Sequence, residues 1–122
     1  MEEKITINGT EYIRSDLAQT HAPEIDGMRY VMCRTYSAGV FAGYLEKQSE
    51  DGKRVTLRKA RRIWYWKGAA SLSQLATEGT SNPKECKFPC EVDSVELMEC
   101  IELIPITAKA KESIESVPVW KM

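Results

Sequence analysis

The stretch VFAGYLEKQSEDGKRVTLRKARRIWYW, Val40 to Trp66, decides how this 122-residue chain folds. Val40 to Glu46 suits a strand, and Ser49-Glu50-Asp51-Gly52 is a polar turn ending in Asp-Gly. Such turns need a positive φ that glycine adopts freely, so strands 38–47 and 53–66 are expected to pair as an antiparallel hairpin. The second arm, Lys53 to Trp66, is long enough to require a twist or a bulge. Upstream, Met28 to Tyr36 carries the strand formers Tyr30, Val31 and Tyr36, and Ser37-Ala38-Gly39 separates it from Val40. Downstream, Ser71 is placed to cap a helix over 72–78, with Leu72 and Leu75-Ala76 on one face and Gly79 ending it. Asn82-Pro83 opens another turn. Residues 95–104 fit a helix or a strand, and Pro105 would interrupt a helix, which favours a strand at Ile101–Ile106. Thr107 then caps a C-terminal helix, 108–116, stopped by Pro118. Ile5 and Ile7 with Asn8-Gly9 predict an N-terminal hairpin within 1–14, and 15–27 reads as a linker to a core over 28–122. The expected class is α+β in one domain: an antiparallel β-sheet with helices packed on one face, including a C-terminal helix.

Composition and charge narrow the function. A hydrophobic fraction of 43% with 29% charged residues fits neither a disordered chain nor a membrane protein. The net charge of −1 conceals segregation. Residues 1–28 hold 2 basic and 6 acidic groups, residues 29–87 hold 12 and 5, and residues 88–122 hold 3 and 7. The blocks are therefore −4, +7 and −4: a basic centre between acidic flanks. No apolar run is long enough to span a bilayer and Met1-Glu2-Glu3-Lys4 starts no export signal, so a cytoplasmic protein is expected. The four cysteines are then expected as reduced, buried thiols. Cys86 and Cys90 form a C-x3-C spacing, but no second tight pair accompanies it and His21 is the lone histidine, so no metal and no cofactor is expected. No nucleophile elbow, zinc-helix, phosphate-loop or dinucleotide pattern is present, and the reading is a binder, with no catalytic residues.

The basic centre is where a ligand would sit. Lys53, Arg54, Arg58, Lys59, Arg61, Arg62 and Lys67 occur without an acidic residue between them, interleaved near the end with Trp64, Tyr65 and Trp66. Guanidinium forks match phosphate oxygens and indole faces stack on bases, although tryptophans at strand spacing serve a core equally well. Simple alternation places Arg58, Ala60, Arg62, Trp64 and Trp66 on one face and Leu57, Lys59, Arg61, Ile63 and Tyr65 on the other. A second candidate is Arg34-Thr35-Tyr36-Ser37-Ala38-Gly39, where small residues let backbone amides approach an anion. Lys87-Phe88-Pro89 adds a cation and a ring in a loop. The candidate ligand-binding residues are Arg34, Thr35, Tyr36, Ser37, Gly39, Arg61, Arg62, Trp64, Trp66, Lys67 and Phe88.

Four stretches carry a family resemblance: Arg34 to Gly43, Ala60 to Ala69, Ser71 to Leu75, and the ending from Ile104-Pro105 to Val117-Pro118-Val119-Trp120. They resemble the phage Thoeris anti-defence family, first described type, over about residues 28–121. The resemblance implies a non-catalytic sponge working in the cytoplasm of an infected bacterial host. Such a protein binds a cyclic ADP-ribose isomer (glycocyclic ADP-ribose) made by TIR-domain immune enzymes and leaves it intact, blocking Thoeris signalling. It further implies binding of cyclic oligonucleotides by some relatives, and a homo-oligomer, dimer or hexamer. Two alternatives stay open on the residues: a small phage nucleic-acid-binding module, and an oligomeric accessory protein whose acidic flanks meet basic centres of neighbouring copies.

Overall fold

The computed structural model describes residues 20–121. The hairpin expected within 1–14, and the first part of the linker, lie outside the described residues. Five strands form one antiparallel sheet: β1 (Tyr30–Thr35), β2 (Val40–Gln48), β3 (Val55–Arg62), β4 (Val92–Leu97) and β5 (Cys100–Pro105). Their spatial order is β4-β3-β2-β1-β5. The Asp-Gly turn joins β2 to β3, as its residues require, and Ser49 Oγ closes it by donating to Asp51 Oδ1 at 2.6 Å. Helix α1 (Leu72–Glu78) and a single 3-10 turn at Pro83–Glu85 lie between β3 and β4, and α2 (Ala108–Glu115) follows β5.

The strand order has a geometric consequence. β4 and β5 occupy opposite edges, yet Met98 and Glu99 alone connect them. Five flat strands would put those edges about 19 Å apart, at roughly 4.8 Å per spacing. Three Cα steps from Leu97 to Cys100 reach about 11 Å at most. The sheet must therefore curl until its edges converge, and one backbone bond records the convergence: Cys100 N–H, at the start of β5, donates to Lys53 O, just before β3, at 2.8 Å. The concave side is filled by the sheet's own side chains, with Val31, Cys33, Phe41, Val55, Leu57, Ala60, Leu97 and Cys100 in one cluster. The convex side packs on both helices through Tyr30, Met32, Ala42, Tyr44 and Ile63 against Leu75, Ala76, Ala110 and Ile114.

Both helices begin and end as their capping residues dictate. Ser71 Oγ accepts from Gln74 N–H at 3.1 Å and Thr107 Oγ1 accepts from Ala110 N–H at 3.0 Å. Thr107 Oγ1 also donates to Thr77 O at 2.7 Å, so the cap of α2 fastens the end of α1. Two expectations need correction, and one strand was not foreseen. The arm opposite β2 ends at Arg62, and Tyr65 makes an isolated bridge with Lys87 because Ile63 turns into the convex core. Val92–Leu97 is a strand although its Asp93, Ser94 and Glu96 are exposed, as befits an edge. Finally, Lys59 has φ 51° and the β2–β3 register shifts around it. This bulge breaks the simple alternation: Leu57 and Ala60 both point into the concave core, and Arg61 and Ile63 face the helices.

Gly79 shows how tightly the helices meet. It has φ 81° and ψ −161°, a conformation essentially confined to glycine, and an added Cβ would stand 2.3 Å from Ser113 Cβ on α2. Gly79→Ala is expected to cost about 2–4 kcal/mol from backbone strain plus overpacking. Urea denaturation would measure this, and a loss below about 1 kcal/mol would show that the α1–α2 junction yields easily.

Candidate functional site

The turn between β1 and β2 is built by Thr35. Its hydroxyl donates to Gly39 O at 2.7 Å and accepts from Ala38 N–H at 2.9 Å, and the side chain is buried. Gly39 takes φ 89° and closes the turn. Arg62, the last residue of β3, reaches across to this turn: Nη1 donates to Ala38 O at 2.6 Å, and the guanidinium lies 4.3 Å above the Phe41 ring. Its remaining N–H groups have no partner among the described residues. After Arg62 the chain leaves the sheet and presents Trp64 and Trp66. Ser37, Ala38, Gly39 and Val40 on one side, with Arg62, Ile63, Trp64 and Trp66 on the other, line an open cleft of about 410 Å³. That volume lies within the roughly 300–1,000 Å³ of small-molecule sites.

Of the candidate residues, Ser37, Gly39, Arg62, Trp64 and Trp66 are thus brought together. The others are placed elsewhere. Arg34 is paired with Glu102 across β1 and β5 at 2.8 Å. Thr35 shapes the turn from beneath. Tyr36 projects into solvent with 78% of its surface exposed. Lys67 is exposed outside the cleft lining, and its backbone N–H donates to Cys86 Sγ at 3.5 Å. Phe88 is fully buried in the convex core.

Arg61 has a different task. Its side chain is buried, and it donates to four backbone carbonyls: Nε to Pro89 O at 3.0 Å, Nη1 to Ile114 O at 3.1 Å, and Nη2 to Phe88 O at 3.1 Å and Val117 O at 2.9 Å. Ile114 stands in the last turn of α2 and Val117 just beyond its cap, where helix-end carbonyls concentrate partial negative charge. The cation is thereby compensated by dipoles, and burial pushes its pKa down from the ordinary value without threatening its charge. The seven cations between Lys53 and Lys67 therefore separate: Arg58 pairs with Asp93 at 3.2 Å and Glu46 at 3.8 Å, Arg61 is inside, and Arg62 serves the cleft.

The cysteines are all free, with Cys33, Cys86 and Cys100 buried and Cys90 exposed, against the expectation that all four would be buried. Cys33 and Cys100 face each other in the concave core with sulfurs 3.4 Å apart, and burial raises the Cys33 thiol pKa well above its usual range. Among the described residues no three His, Cys, Asp or Glu side chains gather as a metal site would require, and no helix is long and apolar enough to cross a membrane. The reading of the sequence missed Trp120, whose ring stacks on Trp64 with centroids 5.2 Å apart and planes 16° from parallel. Trp120 lies beyond α2 in no regular element, so no periodicity could have pointed to it.

Residues 28–114 match a family described as a domain of unknown function, DUF6948. The chain belongs to the DUF6948 family. The match begins just before β1 and ends within α2, so it spans the whole sheet, both sides of the cleft and Arg61. Trp120 lies beyond it. No curated protein and no solved structure matches the chain.

Arg61→Ala would remove a donor from all four carbonyls, leaving Phe88 O with Trp120 N–H and Ile114 O with Val117 N–H but Pro89 O and Val117 O without their charged partner, and is expected to destabilise by about 3–5 kcal/mol. Arg61→Lys, which keeps the charge but loses the fork, should recover less than half of that. Equilibrium denaturation of both variants tests this, and equal stability of Arg61→Lys and the wild type would contradict the fork's role.

Proposed function

We propose that the protein is a non-catalytic binder of a small anionic nucleotide, held in the cleft between the Ser37–Gly39 turn and the Arg62–Trp66 segment. The observation that carries this reading is the convergence of two distant stretches on one cleft, with a guanidinium beside the exposed indole of Trp64 and the half-buried one of Trp66. Arg62 has N–H groups to spare for phosphate oxygens, and an indole face offers a stacking surface to a base. The resemblance to the phage Thoeris anti-defence family supports a finer reading. In it the ligand is a cyclic ADP-ribose isomer made by TIR-domain enzymes, sequestered unchanged in the host cytoplasm by a homo-oligomer. A pyrophosphate brings two charges, so Arg62 would need the Gly39 amide or a second cation beside it, the Ala38 amide being held by Thr35. A neighbouring copy is one source of such a cation.

Calorimetric titration with glycocyclic ADP-ribose tests the reading, followed by heat denaturation and mass spectrometry of the released nucleotide. Saturable binding and recovery of unchanged ligand are expected. Trp64→Ala should remove about 1–3 kcal/mol of stacking, a loss of roughly 5- to 150-fold in affinity. Arg62→Ala should weaken binding about 10- to 100-fold through the lost charged hydrogen bonds. Absence of heat with the wild type, or recovery of hydrolysed ligand, would overturn the proposal. Binding of single-stranded oligonucleotides with steep salt dependence, and no preference for glycocyclic ADP-ribose, would favour a nucleic-acid module instead.

A further inference from the structure

Trp64 combines two properties that rarely coexist: 59% of its surface is exposed, yet its ring is not free. One indole face is covered by Trp120, and a centroid separation of 5.2 Å leaves no slot for a third ring between them. Trp120 in turn is anchored through its backbone. Its N–H donates to Phe88 O at 3.0 Å, and Val119 bridges Phe88 in parallel fashion. The same Phe88 carbonyl accepts from Arg61 Nη2, so a buried clasp fixes the platform from which Trp120 is hung. Lys87 Nζ lies 5.7 Å from the Trp120 centroid and 5.7 Å from that of Tyr65, adding a cation at the rim.

Resting on the reading of the cleft as a nucleotide site, we infer that Trp120 is a positioning residue for it: by covering one face of Trp64 it fixes the indole and leaves a single face for a purine. The cost of immobilising an exposed, two-rotor side chain is met before the ligand arrives, which is worth about 2- to 12-fold in affinity. Specificity follows from the same contact, because one open face accepts one ring. Arg61 and Phe88 then contribute to the site from the interior, through Trp120, without lining the cleft.

The test uses the full chain with Trp120→Ala and Trp120→Phe, and two probes, glycocyclic ADP-ribose and inorganic pyrophosphate. In the absence of ligand, the wild type should show the far-ultraviolet exciton couplet of two stacked indoles, and both variants should lose it. Trp120→Ala should bind glycocyclic ADP-ribose about 2- to 12-fold more weakly and pyrophosphate with unchanged affinity. Trp120→Phe, which keeps a ring in place, should restore nucleotide affinity to within about twofold of wild type. Equal weakening of both probes by Trp120→Ala, no rescue by phenylalanine, or a missing couplet in the wild type would overturn the inference. If the wild type binds neither probe, the nucleotide reading fails, whereas the couplet still decides whether Trp120 holds Trp64.

Discussion

A guanidinium taken out of water costs several kcal/mol unless its N–H groups find acceptors, and Arg61 meets that demand with carbonyls from three separate places. One donor group holds the Phe88–Pro89 loop, another the end of α2, and a third the segment that follows it. These elements also meet through apolar packing of Ile63, Phe88, Ile114 and Val117, and Arg61 adds the polar link that ties all of them to β3. The clasp therefore does what an ion pair would do elsewhere, with the difference that its partners are backbone atoms. No change of side chain at Phe88, Pro89, Ile114 or Val117 can remove them directly. What Arg61 does depend on is the bulge at Lys59, which turns it toward the helices; without that extra residue it would face the concave core beside Leu57.

The charge segregation of the chain is largely resolved by strand pairing. Arg34 and Arg58 belong to the basic centre, and their partners Glu102 and Asp93 belong to the acidic C-terminal flank. β5 lies against β1 and β4 against β3, so the flank folds back onto the centre along both edges of the sheet. Exposed pairs of this kind contribute little energy individually. Their effect is to cancel charge at the edges, so that Arg62 stands out beside the cleft as a cation without a carboxylate partner among the described residues.

How much could be read from the sequence follows from the range of each interaction. Ser71, Gly79 and Thr107 act on neighbours within four residues, and they set the helix limits where the sequence places them. The Asp-Gly turn is equally local and aligns β2 with β3. β4 was not legible because Val92–Leu97 sits at an edge, where polar residues are tolerated and the alternation is faint. The faces of β3 were not legible beyond Lys59, since lysine gives no hint of the left-handed conformation it adopts. The composition of the cleft was therefore visible while its orientation was not: basic and aromatic residues marked two segments that line it, and the bulge decided that Arg62 lines the cleft while Arg61 is interior.

The short link at Met98–Glu99 also bears on how the molecule is made. Both edge strands lie within residues 92–105, so neither β1 nor β3 acquires its outer partner until that one segment is in place. Without it β1, β2 and β3 would be a meander with two open edges and no closed interior. The corner then delivers both missing strands together, which couples the closure of the two edges in a single event.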